Sequence, residues 1–210
     1  MQSAKKTKRL LVICPYPVGV AAGQRLKYEQ YIEHWRACGI DVRISPFMDR
    51  QMWDKLYIKG HLFTKVLGTL KGQLRRIRDA FLIRRYDAVY IFMWVTPIGT
   101  SAFERLYLAL ARRVIYDVED NIFVESSNST NPIAKLLKGS GKTNTLVENA
   151  DHVITSSPHL NQYCEGINKL ARCTFISSSV DGRRYKKAAK ESNAGVPVIG
   201  WTGTFTSQRF

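Results

Sequence analysis

The chain has 210 residues, 45% hydrophobic and 23% charged, with a formal net charge of +15; these values fit a globular protein of one large domain, or of one domain and part of another, and exclude a disordered chain. No apolar run approaches the roughly 20 residues of a membrane-spanning helix, and the basic start MQSAKKTKR precedes only five apolar or sulfur residues, too few for a secretory leader. The charge is uneven: residues 51–85 carry nine basic and two acidic side chains, and residues 86–131 carry three and six, which suggests a basic face turned toward something anionic.

In chain order, residues 10–14 read as a buried strand and 25–38 as an amphipathic helix ended by Gly39. A short alternating strand follows at 41–45. Residues 61–85 carry Phe63, Val66, Leu67, Leu70, Leu74, Ile77 and Phe81 at steps of three or four, a helical stripe. Further strands are predicted at 88–93, 113–117, 152–155 and 173–176, with helices at 100–111, 132–149 and 158–168. Strands alternating with helices at this spacing predict βαβ units and an α/β fold with a parallel sheet. Such sheets bind ligands at the carboxyl ends of their strands, which here are the loops 15–24, 94–99, 117–127 and 156–159. A polar, turn-rich stretch at 178–195 reads as a linker. A new strand then begins at 196–201, so the expected units are 1–177, a linker at 178–195, and the opening of a second domain at 196–210.

Several residues stand out at those strand ends. Ala21, Ala22 and Gly23 place small residues where the first strand hands over to a helix, which lets backbone N–H groups approach an anion or simply makes a tight turn. The loop lacks GxGxxG, and no acid ends the second strand, so a dinucleotide site is unsupported. Arg25 is available to a phosphate or to Glu29 four residues on. Asp117, Glu119 and Asp120 crowd three carboxylates into four residues, and such groups raise one another's pKa and suit acid/base work; capping and turn formation are the other use of such a cluster. Ser157 before Pro158 reads as a helix cap, with ligand contact by Ser157 or His159 secondary.

The stretch LKGSGKTNTLVE imitates a phosphate loop, but Leu136 stands where glycine is needed, so Gly139 to Lys142 is expected to break or bend a surface helix. Cys14, Cys38, Cys164 and Cys173 show no CxxC pair and no metal spacing with the histidines, so reduced thiols in a cytoplasmic protein are expected, with no metal. The basic segment, with Lys65, Lys71, Arg75, Arg76 and Arg78 on a helix that also carries an apolar stripe, suits an anionic membrane surface. Nucleic acid is not expected as a partner, because no RNP, zinc-finger or helix-turn-helix pattern accompanies the charge.

The ordered set PYPVGVAAGQR, YDVED, ADHVITSSPHL, FISSSVD and VIGWTGTFTS resembles the N-terminal half of a GT-B glycosyltransferase, most like the retaining family-4 type. In that family a strand leads to "ngvD", here Ser178-Ser179-Val180-Asp181, and a glycine-containing turn opens the second domain, here Gly200-Trp201-Thr202-Gly203. The resemblance implies a Rossmann-like parallel sheet with helices on both faces. It also implies transfer of a sugar from a nucleotide-sugar donor to a hydroxyl acceptor, a cell-surface or lipid-linked glycan, at the inner face of the membrane and without a cofactor.

By the same resemblance the first loop lies near the donor phosphates. Tyr16, Gly23, Gln24, Arg25, Ser157, His159 and Gly203 are then substrate-binding candidates, and Asp117, Glu119 and Asp120 catalytic ones. The family pattern YDxHE is altered, since Glu119 stands at the histidine's place. Most donor contacts belong to the second domain, so 1–210 alone is expected to be inactive. The alternative is a stand-alone basic Rossmann-like module that binds anionic membrane or nucleic acid.

Overall fold

Among the described residues, runs of β-branched and aromatic residues form six strands: β1 (Lys8–Cys14), β2 (Ile40–Pro46), β3 (Ala88–Phe92), β4 (Val114–Val118), β5 (His152–Thr155) and β6 (Cys173–Phe175). The computed structural model describes residues 7–97, 100–119 and 140–183. The strands make one sheet in the order β2-β1-β3-β4-β5-β6, with every pairing parallel. Between them lie α1 (Ala22–Lys27), α2 (Ile32–Ala37), α3 (Arg50–Lys55), α4 (Leu62–Leu82), α5 (Ala102–Leu110), α6 (Ser140–Asn149) and α7 (Pro158–Ile167). Alternation along β1 sends Leu11 and Ile13 into one core, shared with Ile83, Ile91, Tyr107 and Tyr116. Val12 and Cys14 enter another, with Tyr28, Tyr90 and Phe92. Helices therefore cover both faces, and the expected α/β architecture stands. The strand order reverses at β1, whose neighbours are β2 and β3, which makes the carboxyl ends of β1 and β3 the natural crevice of such a sheet.

Three local features differ from the sequence reading. The single helix over 25–38 is two short helices around a 3₁₀ turn at Glu29–Tyr31. Tyr28, at φ −130° and ψ −30°, leaves the helical path and lies fully buried, its ring 5.5 Å from that of Tyr90 and 5.6 Å from that of Phe92. Burial of the tyrosine ring thus overrides the helical period. Helix α3 has no counterpart in the expected elements; its signal is the cap residue Asp49, whose carboxylate accepts from Met52 N at 2.8 Å. Finally, the chain divides into two compact units, Met1–Val180 and Asp181–Phe210, so Ser178 and Ser179 belong to the first. In the second unit the Asp181 carboxylate accepts from Arg183 N and Nε at 3.1 and 2.9 Å. The strand expected at 196–201 and the first part of the helix expected at 132–149 lie outside the described residues.

Helix α4 departs furthest. Its stripe from Phe63 to Phe81 faces outward, with Phe63 79% and Phe81 83% exposed. The face turned to the sheet is Gly68, Gly72, Arg76, Asp79 and Ala80. The two glycines allow close approach, since a Cβ at Gly68 would lie 2.7 Å from Met52 Sδ and one at Gly72 would lie 2.6 Å from Phe47 Cζ.

Arg76, assigned by the sequence to a membrane-facing surface, is instead 0% exposed. Its Nε donates to Val95 O at 2.6 Å, Nη1 to Ser45 O at 3.0 Å, and Nη2 to Cys14 O at 2.9 Å. The guanidinium stands 3.6 Å from Asp79 Oδ2 and over the Phe47 ring at 5.6 Å. Asp79 also accepts from Ser45 Oγ and from Arg78 Nη2 at 3.0 Å. Burial pulls the Arg76 pKa down, and the neighbouring Tyr107, Cys14 and Asp79 oppose that pull. Of the other expected surface cations, Lys65 bonds Ile58 O at 2.9 Å and Arg75 bonds Phe47 O at 3.2 Å and Pro46 O, while Lys71 and Arg78 are exposed.

Arg76 thus ties the carboxyl ends of β1 and β2 and the loop after β3 to one helix. Replacing it with leucine removes the guanidinium donors to Val95 O and Ser45 O and one of the two donors to Cys14 O, and takes the buried cation from beside Asp79. The expected loss in a urea unfolding curve is about 3–5 kcal/mol, and lysine, lacking the planar fork, does not restore it. Stability within about 0.5 kcal/mol of the parent, the range of ordinary surface substitutions, would contradict this role.

Candidate functional site

The loop after β1 is shaped by side chains that bond its own backbone. Gln24 is buried; its Oε1 accepts from Tyr16 N at 3.0 Å, and its Nε2 donates to Tyr16 O at 3.0 Å and to Glu29 Oε1 at 3.1 Å. Glu29 Oε2 in turn accepts from Gly19 N at 2.9 Å. Gln24 therefore holds the loop, and Glu29 partners Gly19 and Gln24 where the sequence offered it to Arg25. Arg25 itself is exposed on α1. Tyr16 packs edge-on against Trp53, with centroids 4.9 Å apart.

Gly23 lies against Glu119, which follows β4. A Cβ at position 23 would stand 3.2 Å from Glu119 Cδ and 3.4 Å from Oε1, and nearer still to Oε2. The absence of a side chain at 23 is what admits this carboxylate, and the place beside Gly23 that the sequence reading gave to a phosphate is filled by it. Glu119 O accepts from Ser156 Oγ, after β5, and Glu119 Oε1 accepts from Ser178 Oγ at 3.4 Å, after β6. The segments after β1, β4 and β6 thus meet at one half-buried carboxylate, and the segment after β5 holds the backbone of the same residue.

Asp117 lies beneath this point and is buried. Its Oδ1 is 3.2 Å from Lys27 Nζ, with both side chains almost wholly enclosed, and its Oδ2 accepts from Tyr90 OH. Burial raises its pKa, and Lys27 and the Tyr90 hydroxyl pull against that rise. Lys27 Nζ also donates to Ile176 O at 2.8 Å. Ser179 is bound nearby: its carbonyl accepts from Gln30 Nε2 at 2.9 Å, and its hydroxyl shares a 2.5 Å bond with Tyr31 OH. The chain after β6 is therefore fastened to the segment that follows β1.

Of the predicted site residues, the structure gathers Gly23 and Glu119 at the carboxyl edge, and sets Asp117 below them as an enclosed ion-pair partner. Ser157 caps α7, accepting from Leu160 N at 3.2 Å, and His159 is exposed. Asp120 and Gly203 lie outside the described residues. The sequence reading missed Lys27, Tyr90, Ser156 and Ser178 as neighbours of the acidic cluster. A lysine three residues from Gln24 on the same short helix was the available signal for the first.

A second polar group lies at the end of β3. Lys142, expected on a bent surface helix, is buried on α6 and donates to Thr96 O at 2.8 Å. Buried Glu104 accepts from Val95 N at 3.3 Å and Thr96 N at 3.4 Å. Burial moves both groups toward their neutral forms. Among the described residues, no cluster of three or more His, Cys, Asp or Glu side chains could hold a metal ion.

The Lys27–Asp117 pair yields a direct test. Removing one partner leaves the other charge buried, so Asp117→Leu alone or Lys27→Met alone is expected to cost about 3–5 kcal/mol. The double variant Lys27→Met/Asp117→Leu recovers most of that loss, because neither charge then has to be desolvated. A double-mutant cycle from urea unfolding measures this coupling, and additive losses would contradict it.

Comparison with known protein families and with curated proteins found no match for this chain.

Proposed function

We propose that the chain forms the acceptor-side half of a nucleotide-sugar-dependent glycosyltransferase. What supports the reading is the Glu119 carboxylate, which stands over Gly23 with Ser178 on one oxygen. It sits at the carboxyl edge of a parallel sheet, in the place where the resembled family carries a histidine.

A carboxylate in that position accepts a hydrogen bond from an acceptor hydroxyl and orients its oxygen toward the sugar's anomeric carbon. As the new C–O bond forms, the bond from that carbon to the nucleoside diphosphate breaks, and the hydroxyl proton is released toward the carboxylate. Ser156 and Ser178 fix the backbone and one oxygen of Glu119, so the group is positioned before the acceptor arrives. Asp117 acts at one remove: with Lys27 and Tyr90 it fixes the end of β4 from which Glu119 projects. The donor's diphosphate is assigned to the second α/β unit that the resemblance implies from Val196 onward. Retention of anomeric configuration rests on the resemblance alone.

The experiment uses the protein with both α/β units. Calorimetric titration against a panel of nucleotide sugars identifies the donor, and transfer is then compared with that of Glu119→Gln. The expected result is a fall of roughly 10²–10⁴-fold in turnover, with the KM for the donor little changed. Full turnover by the variant, or no binding of any nucleotide sugar, would overturn the reading.

A further inference from the structure

We infer that the outward face of α4 is a docking surface for an anionic lipid bilayer, on which the helix lies in the plane of the interface. From Phe63 to Phe81 the helix runs about 27 Å at 1.5 Å per residue, and its exposed face is an unbroken apolar stripe with an aromatic ring at each end. Tyr57 and Ile58, just before the helix, extend the patch and are also exposed. Such a surface on a water-exposed helix marks an interaction site.

Charge decides the occupant. Lys59, Lys71, Arg78, Arg84 and Arg85 are exposed around the stripe, and the only acid on α4, Asp79, is buried against Arg76 and Ser45. The outward face therefore offers hydrocarbon framed by an excess of cations, with Lys71 3.9 Å from Asp49 Oδ2 and Arg78 3.0 Å from Asp79 Oδ1, which matches acyl chains beneath anionic headgroups. A second copy pairing stripe on stripe about a two-fold axis would set these cations against each other. No described helix is long and apolar enough to cross a membrane, so the geometry is that of a helix lying on the bilayer. The sequence alone places Arg76 among the membrane-facing cations. Because Arg76 and the glycines take the inner face, the whole stripe is free for lipid.

The placement also bears on the site. Gly68 and Gly72 meet Met52 and Phe47, both beyond the end of β2, whereas Ala80 packs in the core with Leu11 and Ile13. The first half of α4 therefore overhangs the carboxyl edge of the sheet, the edge that carries Glu119. A membrane against this face brings a lipid-borne hydroxyl acceptor toward that edge. The docking surface itself stands independently of the glycosyltransferase reading.

The test is co-sedimentation of the 210-residue chain with vesicles of phosphatidylcholine alone or of phosphatidylcholine with phosphatidylglycerol, without any sugar nucleotide. The parent is expected to sediment with the anionic vesicles. The variant Phe63→Ser/Leu70→Ser/Leu74→Ser is expected to partition roughly 1,000-fold less, and Lys59→Ser/Lys71→Ser/Arg85→Ser roughly 100-fold less. Both sets are solvent-exposed, so circular dichroism and the thermal midpoint should match the parent. Equal sedimentation of parent and apolar variant would overturn the proposal. So would failure of the parent to bind anionic vesicles, including the case in which it is a dimer that the apolar substitutions dissociate.

Discussion

A buried guanidinium organises this domain. Arg76 donates to the backbone at the ends of β1 and β2 and in the loop after β3, so one side chain fixes the mutual height of the three strand ends that border the crevice. A buried charge persists only when its donors are satisfied and a counter-charge is close, and Asp79, Ser45 and the three carbonyls meet that demand. Tyr107 OH extends the network by donating to Arg76 O at 2.9 Å, which links α5 to the same point. The interior here is polar and directional where a helix-on-sheet contact is usually apolar. Its consequence is rotational: with Arg76, Asp79 and the glycines inward, the apolar stripe of α4 has nowhere to go but out.

The same principle recurs along the carboxyl edge. Gln24 closes the loop after β1 on its own backbone, Lys27 reaches both Asp117 and the chain after β6, and Lys142 secures the loop after β3. Each is a polar side chain withdrawn from water and bonded to backbone groups that strand pairing leaves unsatisfied. Rigidity at the edge therefore comes from enclosed hydrogen bonds, which hold geometry more tightly than apolar packing of loops would. Glu119 stands on that rigid base, half-buried, which is the condition for a carboxylate that must be positioned and still meet a ligand.

Much of the fold was legible because it follows from period and composition. The runs at β1 and β3 are continuous apolar segments, as strands buried on both faces must be, and Gly39 after α2 has φ +81°, the left-handed cap that its sequence position suggested. The orientation of α4 was not legible from the stripe, because amphipathic period gives a direction and not its target. The inward face was written in the sequence all the same, in Gly68, Gly72, Arg76 and Ala80 at steps of four, with a lone acid, Asp79, amid the cations. Small residues in such a row mark close approach, and a solitary acid in a basic run marks a partner. At the site, sequence proximity grouped Asp117 with Glu119, which as residues two apart would share one face of a strand, but β4 ends at Val118. Asp117 turns to Lys27 and Tyr90 beneath, and Glu119 emerges past the strand's end. Ser156 and Ser178 meet Glu119 from loops 37 and 59 residues away, distances over which local pattern carries no information.

The orientation of α4 is the claim on which the buried network and the bilayer face both turn, and thiol labelling measures it most directly. In a Cys38→Ser/Cys173→Ser background, which removes the exposed and the half-buried native thiols, cysteines introduced singly at Leu70, Leu74 and Ile77 should react with a water-soluble maleimide about as fast as an unfolded chain does. A cysteine at Ala80, 8% exposed, should be protected until the protein is unfolded in urea. Protection at Leu70 and Leu74 together with rapid reaction at Ala80 would mean that the stripe faces the sheet, and would contradict the account.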